Sequence, residues 1–249
     1  MVTFEEALLL AGLFFAAAIL YSSVGHGGAS GYLASMGLVG VAPAIMRPTA
    51  LVMNIAVASI SLYKFTRANG FRWRLFLPFA VTSVPMAFIG GRIQLPVTWF
   101  GALVGVVLLY SAARLFTETM STKVKAREVT GPPPLALALV VGAGIGLLSG
   151  LTGVGGGIFL SPLLVLAGWA TVRDSAAPTA AFILINSIAG LIGLLTRHPT
   201  LPDPLPYWVL AVIAGGLIGA SYGARRLDNR AMRRALAAVL LVAGGKMIV

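Results

Sequence analysis

The sequence contains no cysteine, and only seven acids stand against eighteen Lys and Arg in 249 residues. Without cysteine there are no disulfides, thiolate metal sites or cysteine nucleophiles. Charged residues make up 10% of the chain, where soluble domains carry about 25%. The net charge of +11 therefore does not mark a nucleic-acid-binding protein, because no basic soluble domain remains once the apolar runs are set aside. The acids are Glu5, Glu6, Glu118, Glu128, Asp174, Asp203 and Asp228. All fall at the ends of apolar runs or between them, so no intramembrane carboxylate is expected to bind a cation or relay protons. There is no Asp-rich metal motif, no H-E-x-x-H and no Ser–His pair at recognisable spacing. No catalytic residue, metal ligand or cofactor is predicted. The first ten residues carry no Lys or Arg, so they lack the basic start of a signal peptide, and the first apolar run reads as a retained span.

What is present is hydrophobic: 58% of residues, with a mean hydropathy of +0.95. The runs are about 20 residues long, which fits membrane helices and not the ~10-residue alternating strands of a barrel. The expected fold class is an all-α polytopic membrane protein. Ten apolar segments are predicted, roughly 4–24, 28–42, 47–66, 75–92 and 97–116, then 135–151, 155–169, 175–196, 205–224 and 230–248. The division is a first membrane repeat over 1–116, a cytoplasmic linker over 117–134 and a second repeat over 135–249.

The two sets match. Gly25, Gly27 and Gly28 fall on Gly153, Gly155 and Gly156 at an offset of 128; Pro48-Thr49-Ala50 falls on Pro178-Thr179-Ala180 at 130; Gly91 falls on Gly223 at 132. Five segments per half would invert the second repeat. With the N-terminus outside, that scheme puts fourteen of the eighteen basic residues on the cytoplasmic side and leaves Arg47, Arg92, Arg197 and Lys246 outside. Four segments per half give at best ten against eight. The positive-inside rule prefers five plus five. Inverted repeats with interrupted helices are a common architecture of secondary transporters.

The interruptions are the clusters "VGHGG" (Val24–Gly28) and "GVGGG" (Gly153–Gly157). Backbone groups freed by a break cannot be satisfied by lipid, so such breaks persist only against protein or water. A helix restarting after the break presents unpaired N–H groups and a partial positive charge, a place for an anion without Lys or Arg. Close helix packing is the competing reading, and it is preferred for the GxxxG-spaced sets Gly142, Gly146, Gly150 and Gly215, Gly219, Gly223.

The "VGHGG" near the first span and "LTGVGGGIFLSPLL" after the central polar loop resemble the sulfite exporter TauE/SafE family of membrane permeases. The resemblance covers nearly the whole chain. It implies a multi-pass protein of the prokaryotic cytoplasmic membrane that moves a small sulfur-containing anion: sulfite, thiosulfate or an organosulfonate. Ala29 and Ser30 stand where the second cluster would continue with glycine, so the two clusters are not strictly equivalent.

The candidate binding residues are Gly25, His26, Gly27, Gly28, Gly153, Gly155, Gly156 and Gly157, with Thr49, Thr179, Asn54 and Asn186. His26 would hydrogen-bond an anion or carry its proton, or be satisfied by carbonyls at its own break. Thr49 and Thr179 follow prolines and are expected at helix starts, as caps or facing the ligand. Asn54 and Asn186 lie within apolar runs and would line a path or bond a neighbouring helix. The expected partners are the anion and membrane lipid, with no nucleic acid, and self-association is left open. Two other functions fit the same composition: a membrane enzyme acting on a lipid-linked substrate, and a non-transporting membrane subunit.

Overall fold

The computed structural model describes residues 3–120, 131, 133–223, 240–242 and 244–248. It is all helical among these residues: α1 (Phe4–Ser22), α2 (Ala29–Val39), α3 (Pro43–Asn69), α4 (Trp73–Arg92), α5 (Val97–Met120), α6 (Leu135–Thr152), α7 (Gly157–Leu166), α8 (Val172–Leu195) and α9 (Leu205–Gly223). Of the tenth expected segment, residues 240–242 and 244–248 are described. They are helical and lie on α5, where Gly101 faces Met247 and Gly105 faces Gly244 and Ile248. Most of the expected linker, and the basic stretch Arg225–Arg234, fall outside the described residues.

Among the described residues, seven helices are long and apolar enough to cross a membrane. The exceptions are α2, with 11 residues, and α7, with 10. At about 1.5 Å per residue each covers roughly half of a ~30 Å hydrocarbon core. Large apolar side chains such as Leu8, Val81, Val140 and Leu210 are exposed on the outside of the bundle, where lipid tails would cover them. The protein is a multi-pass integral membrane protein.

Local chemistry sets the helix ends. Thr3 and Glu6 form a capping box: the Glu6 amide donates to Thr3 Oγ1 at 3.2 Å, and the Thr3 amide donates to Glu6 Oε2 at 2.8 Å, satisfying two otherwise orphaned donors. The expected starts at 47 and 175 are corrected. α3 opens earlier on Pro43, and α8 on Val172, with Thr171 Oγ1 accepting from the Asp174 amide. Pro48 and Pro178 therefore lie inside helices. Each lies past the first turn, where it removes the bond to the carbonyl four residues back and its ring crowds that carbonyl. Thr49 and Thr179 are accordingly interior residues and cap nothing.

Side-chain and backbone contacts fix the helix directions. Along α1 and α9, Phe15 meets Gly215, Ile19 meets Gly219 and Ser23 meets Gly223, so the two helices run parallel. Along α4 and α6, Phe79 meets Gly142, Ser83 meets Gly146 and Ala87 meets Gly150, so these also run parallel. Arg72 pairs with Asp174 at 2.9 Å where α4 and α8 begin, and Gly91 meets Gly190 near their ends. Arg173 Nε donates to Asn69 Oδ1 at 2.5 Å, which places the end of α3 beside the start of α8. One end of the bundle therefore gathers the ends of α1, α3 and α9 and the starts of α4, α6 and α8; this is the linker end. The far end gathers the starts of α1, α3, α5 and α9. Lys64, Arg67, Arg72, Arg74 and Arg173 lie toward the linker end, and Arg47, Arg92 and Arg197 toward the far end.

The two sets of helices exchange partners. α1 packs on α9 as α6 packs on α4, and α3 packs on α8. Gly25 lies against Ala176 of α8, and Gly153 lies against Arg47 of α3. Wherever a GxxxG glycine meets a neighbour's carbonyl, no room remains for a methyl group.

Candidate functional site

The first break runs from Ser23 to Gly28. Gly25 (φ +80°) and Gly28 (φ +105°) are left-handed, a conformation that costs an L-residue about 1–2 kcal/mol. The second runs from Gly153 to Gly156, with Gly153 at φ +82° and Gly155 and Gly156 both at +79°. α2 and α7 restart from Gly28 and Gly156, and neither glycine has a side chain to cap its own helix.

The breaks meet on one buried residue. Asn54 of α3 is fully buried. Its Oδ1 accepts from the Ala29 amide, the first residue of α2, at 3.1 Å. Its Nδ2 donates to the Val154 carbonyl inside the second break at 3.2 Å, and lies 3.5 Å from Ser187 Oγ of α8. A methyl on Gly27 would strike Asn54 Oδ1, and one on Gly155 would lie 2.7 Å from Asn54 Nδ2. Ile183 Cγ2 closes the other side, at 3.0 Å from that position on Gly27 and 2.8 Å on Gly155. Glycines from the two halves thus face one amide side chain and one isoleucine.

Thr179 and Ile183 are one helical turn apart on α8, and both face Gly157 at the start of α7. The Thr179 hydroxyl is buried without a hydrogen-bond partner, as is that of Thr49 on α3. Gly156 packs against Ile145 and Phe182, and Gly28 against Tyr32, whose hydroxyl donates to the Gly27 carbonyl at 2.8 Å. His26 is half-buried, with Nδ1 3.2 Å from the Val24 carbonyl of its own break. Asn186 does not join Asn54. It is fully buried, and neither atom of its amide is paired. Four residues further along α8, Gly190 lies near Gly150 of α6 and Ala87 of α4.

Three participants escape a reading of the sequence. Ser187 and Ile183 form, with Thr179, the stripe 179/183/187 on α8, a helical spacing that could have pointed to them. Arg47 reads in sequence as a loop-side charge. It is 6% exposed, and its guanidinium donates to the carbonyls of Gly90, Gly91 (2.7 Å) and Ile93 (2.9 Å) at the end of α4. A cation on the carbonyl end of a helix is favourable, and no local sequence pattern announces a cap supplied from 43 or more residues away.

The sequence profile of the family described as Sulfite exporter TauE/SafE matches residues 9–247. A probable membrane transporter protein of Sinorhizobium fredii is 40% identical over 243 residues, covering 98% of each chain. A probable membrane transporter protein of Methanocaldococcus jannaschii is 27% identical over 153 residues, covering 60% of this chain and 55% of its own. No solved structure matches the chain. With a family profile spanning nearly every residue, and glycine breaks set among membrane-length helices, the chain belongs to the sulfite exporter TauE/SafE family and is a membrane transporter of the prokaryotic cytoplasmic membrane, not an enzyme.

Proposed function

We propose that the protein carries a small sulfur-containing oxyanion (sulfite, thiosulfate or an organosulfonate) by alternating access, and that the anion binds between the amides of Gly27, Gly28, Gly155 and Gly156. The observation that carries this reading is Asn54. In the structure a neutral carbonyl oxygen, Asn54 Oδ1, occupies the first amide of α2. That bond contributes about 0.5–1.5 kcal/mol, and a charge-assisted bond to an oxyanion is roughly twice as strong. An anion seated at those glycines therefore also competes with Asn54 for the adjoining Ala29 amide. Releasing Asn54 also loosens its hold on Val154, and with it the link between the two breaks. Binding and opening become one event.

The helix exchange supports two inverted repeats, 1–116 and 135–249, joined by a cytoplasmic linker over 117–134. α1 runs from the far end to the linker end, and α6 runs the other way. Two apolar clusters support one body rocking against another. The first is built mainly on α1, α2, α3 and α5, with Trp208 and Val212 of α9, the second on α4, α6, α7 and α8, and Phe159 of α7 packs against both. The charge bias supports a cytoplasmic linker end. Because the chain has no cysteine, single cysteines test this directly. An impermeant thiol reagent added outside is expected to label Thr200→Cys and to spare Arg74→Cys; the reverse pattern overturns the orientation.

Function is tested in proteoliposomes by uptake of sulfite, thiosulfate and a sulfonate, with a carboxylate as the comparison. Saturable uptake of a sulfur oxyanion is expected, with thermal stabilisation of the purified protein by the same anion. Stabilisation and uptake by the carboxylate alone would overturn the substrate class. His26 is half-buried, and the contact of its Nδ1 with the Val24 carbonyl is worth roughly 1 kcal/mol, so His26→Ala is expected to fold. Uptake is expected to fall while folded yield holds. Unchanged uptake with an unchanged pH profile would make His26 a brace for its own loop.

A further inference from the structure

The far end holds a cavity of about 350 Å³ between the start of α3, the end of α4, the start of α5 and the turn after α8. Arg47, Arg197 and His198 line it, with Gln94 and Thr200, and no acid does. Its wall includes Pro43 and Ala44, the first turn of α3, which no side chain caps. That turn adds the partial positive charge of a helix N-terminus.

Two basic side chains line the cavity with donors that no protein group takes among the described residues. The Arg47 Nε is buried and has no hydrogen-bond partner, although the two terminal nitrogens of the same guanidinium are bonded to carbonyls. The Arg197 side chain makes no hydrogen bond or ion pair among the described residues, whereas Lys246, another base at this end, donates to the Leu38 carbonyl at 2.8 Å. These charges lie on the side where membrane insertion disfavours them, so orientation does not account for their presence. Arg47 also connects the cavity to the deeper site, because its backbone and Cγ lie against Gly153 at the head of the second break.

We infer that this cavity is an anion staging site, in which Arg47, Arg197 and the α3 N-terminus hold an oxyanion before it passes Arg47 to the glycine breaks. The onward step to the breaks rests on the transport reading, but the capture itself is independent of it. A cleft lined by one sign of charge raises the local concentration of the opposite sign, and this advantage shrinks as salt rises.

The test uses the full-length protein and radiolabelled thiosulfate and sulfite, read both as equilibrium binding in detergent and as uptake into proteoliposomes. Arg197 and His198 are exposed in a turn, so Arg197→Gln and the double variant with His198→Gln are expected to fold. Both should raise the KM for uptake about fivefold or more at low ionic strength, leave kcat near wild type, and flatten the decline of kcat/KM with salt. Arg197→Lys should restore most of the loss. Gly155→Ala, which blocks the breaks, should keep a weaker salt-sensitive binding component that the double variant lacks. If Arg197→Gln and the double variant keep the wild-type KM, salt dependence and binding, the staging site is overturned even if transport holds. If uptake is absent but salt-sensitive binding persists and needs Arg197, the staging site stands and the transport reading fails. If the wild-type protein binds neither anion, both fail.

Discussion

Gly155→Ala is expected to abolish saturable anion uptake and to lower the melting temperature in detergent. The cost has two sources. At φ +79° an alanine pays about 1–2 kcal/mol of backbone strain. Its methyl would also lie 2.7 Å from Asn54 Nδ2, 2.8 Å from Ile183 Cγ2 and 3.0 Å from Ser187 Oγ, and overpacking of a tight interior costs a further ~1–3 kcal/mol. Together, about 2–5 kcal/mol is a large share of the ~5–15 kcal/mol that holds a typical fold, but it does not exceed it. Folded protein should therefore be recoverable, with binding at the glycine breaks lost. Gly144→Ala is the control. Gly144 is helical, with open space where a methyl would go, so alanine should stabilise by about 0.5–1 kcal/mol and leave uptake intact. Wild-type melting and uptake in Gly155→Ala would show that the breaks do not meet on Asn54.

Asn54→Leu should have the second largest effect. Leucine has nearly the same bulk but leaves the Ala29 amide and the Val154 carbonyl without the partner each has now. Each buried group left unsatisfied costs about 1–3 kcal/mol, and the Asn54 hydrogen bonds no longer link the breaks. Uptake should fall at least tenfold, with the protein still folded. Asn54→Asp separates the two halves of the role. Its carboxylate can still accept from Ala29, but it has no donor for Val154 and presents a negative charge where the anion would sit. It should therefore block uptake at least as strongly as leucine. Ser187→Ala should be near neutral, since its contact with Asn54 is at the 3.5 Å limit of a hydrogen bond. Equal losses in Ser187→Ala and Asn54→Leu would mean that the whole cluster, and not the bridge between the breaks, supports transport.

The sequence alone determined the solvent and the punctuation. Low charge and long apolar runs leave no soluble fold that could bury so much hydrocarbon, and helices are the form that satisfies their own backbone in lipid. Clustered glycines mark the breaks because side-chain-free residues tolerate the left-handed turns found at Gly28, Gly153, Gly155 and Gly156. The repeated order of glycines, prolines and threonines is what led the sequence to be read as a duplication. Helix starts were less legible. Pro48 and Pro178 read as boundaries, because a proline's missing donor looks the same whether it opens a helix or interrupts an early turn; the capping of Thr171 and the opening at Pro43 decided it.

Only the tertiary structure decided which polar residues belong together. Asn54 and Asn186 read alike in sequence, each a lone amide in an apolar run. The direction in which each helix face points puts Asn54 on both breaks and leaves Asn186 off them, its amide unpaired. Arg47 gave no local sign of closing α4, because its acceptors are 43 to 46 residues away. Hydrophobicity and backbone conformation are properties of short stretches, so a sequence displays them. A contact between two breaks more than 120 residues apart exists only after α3 and α8 have packed between them.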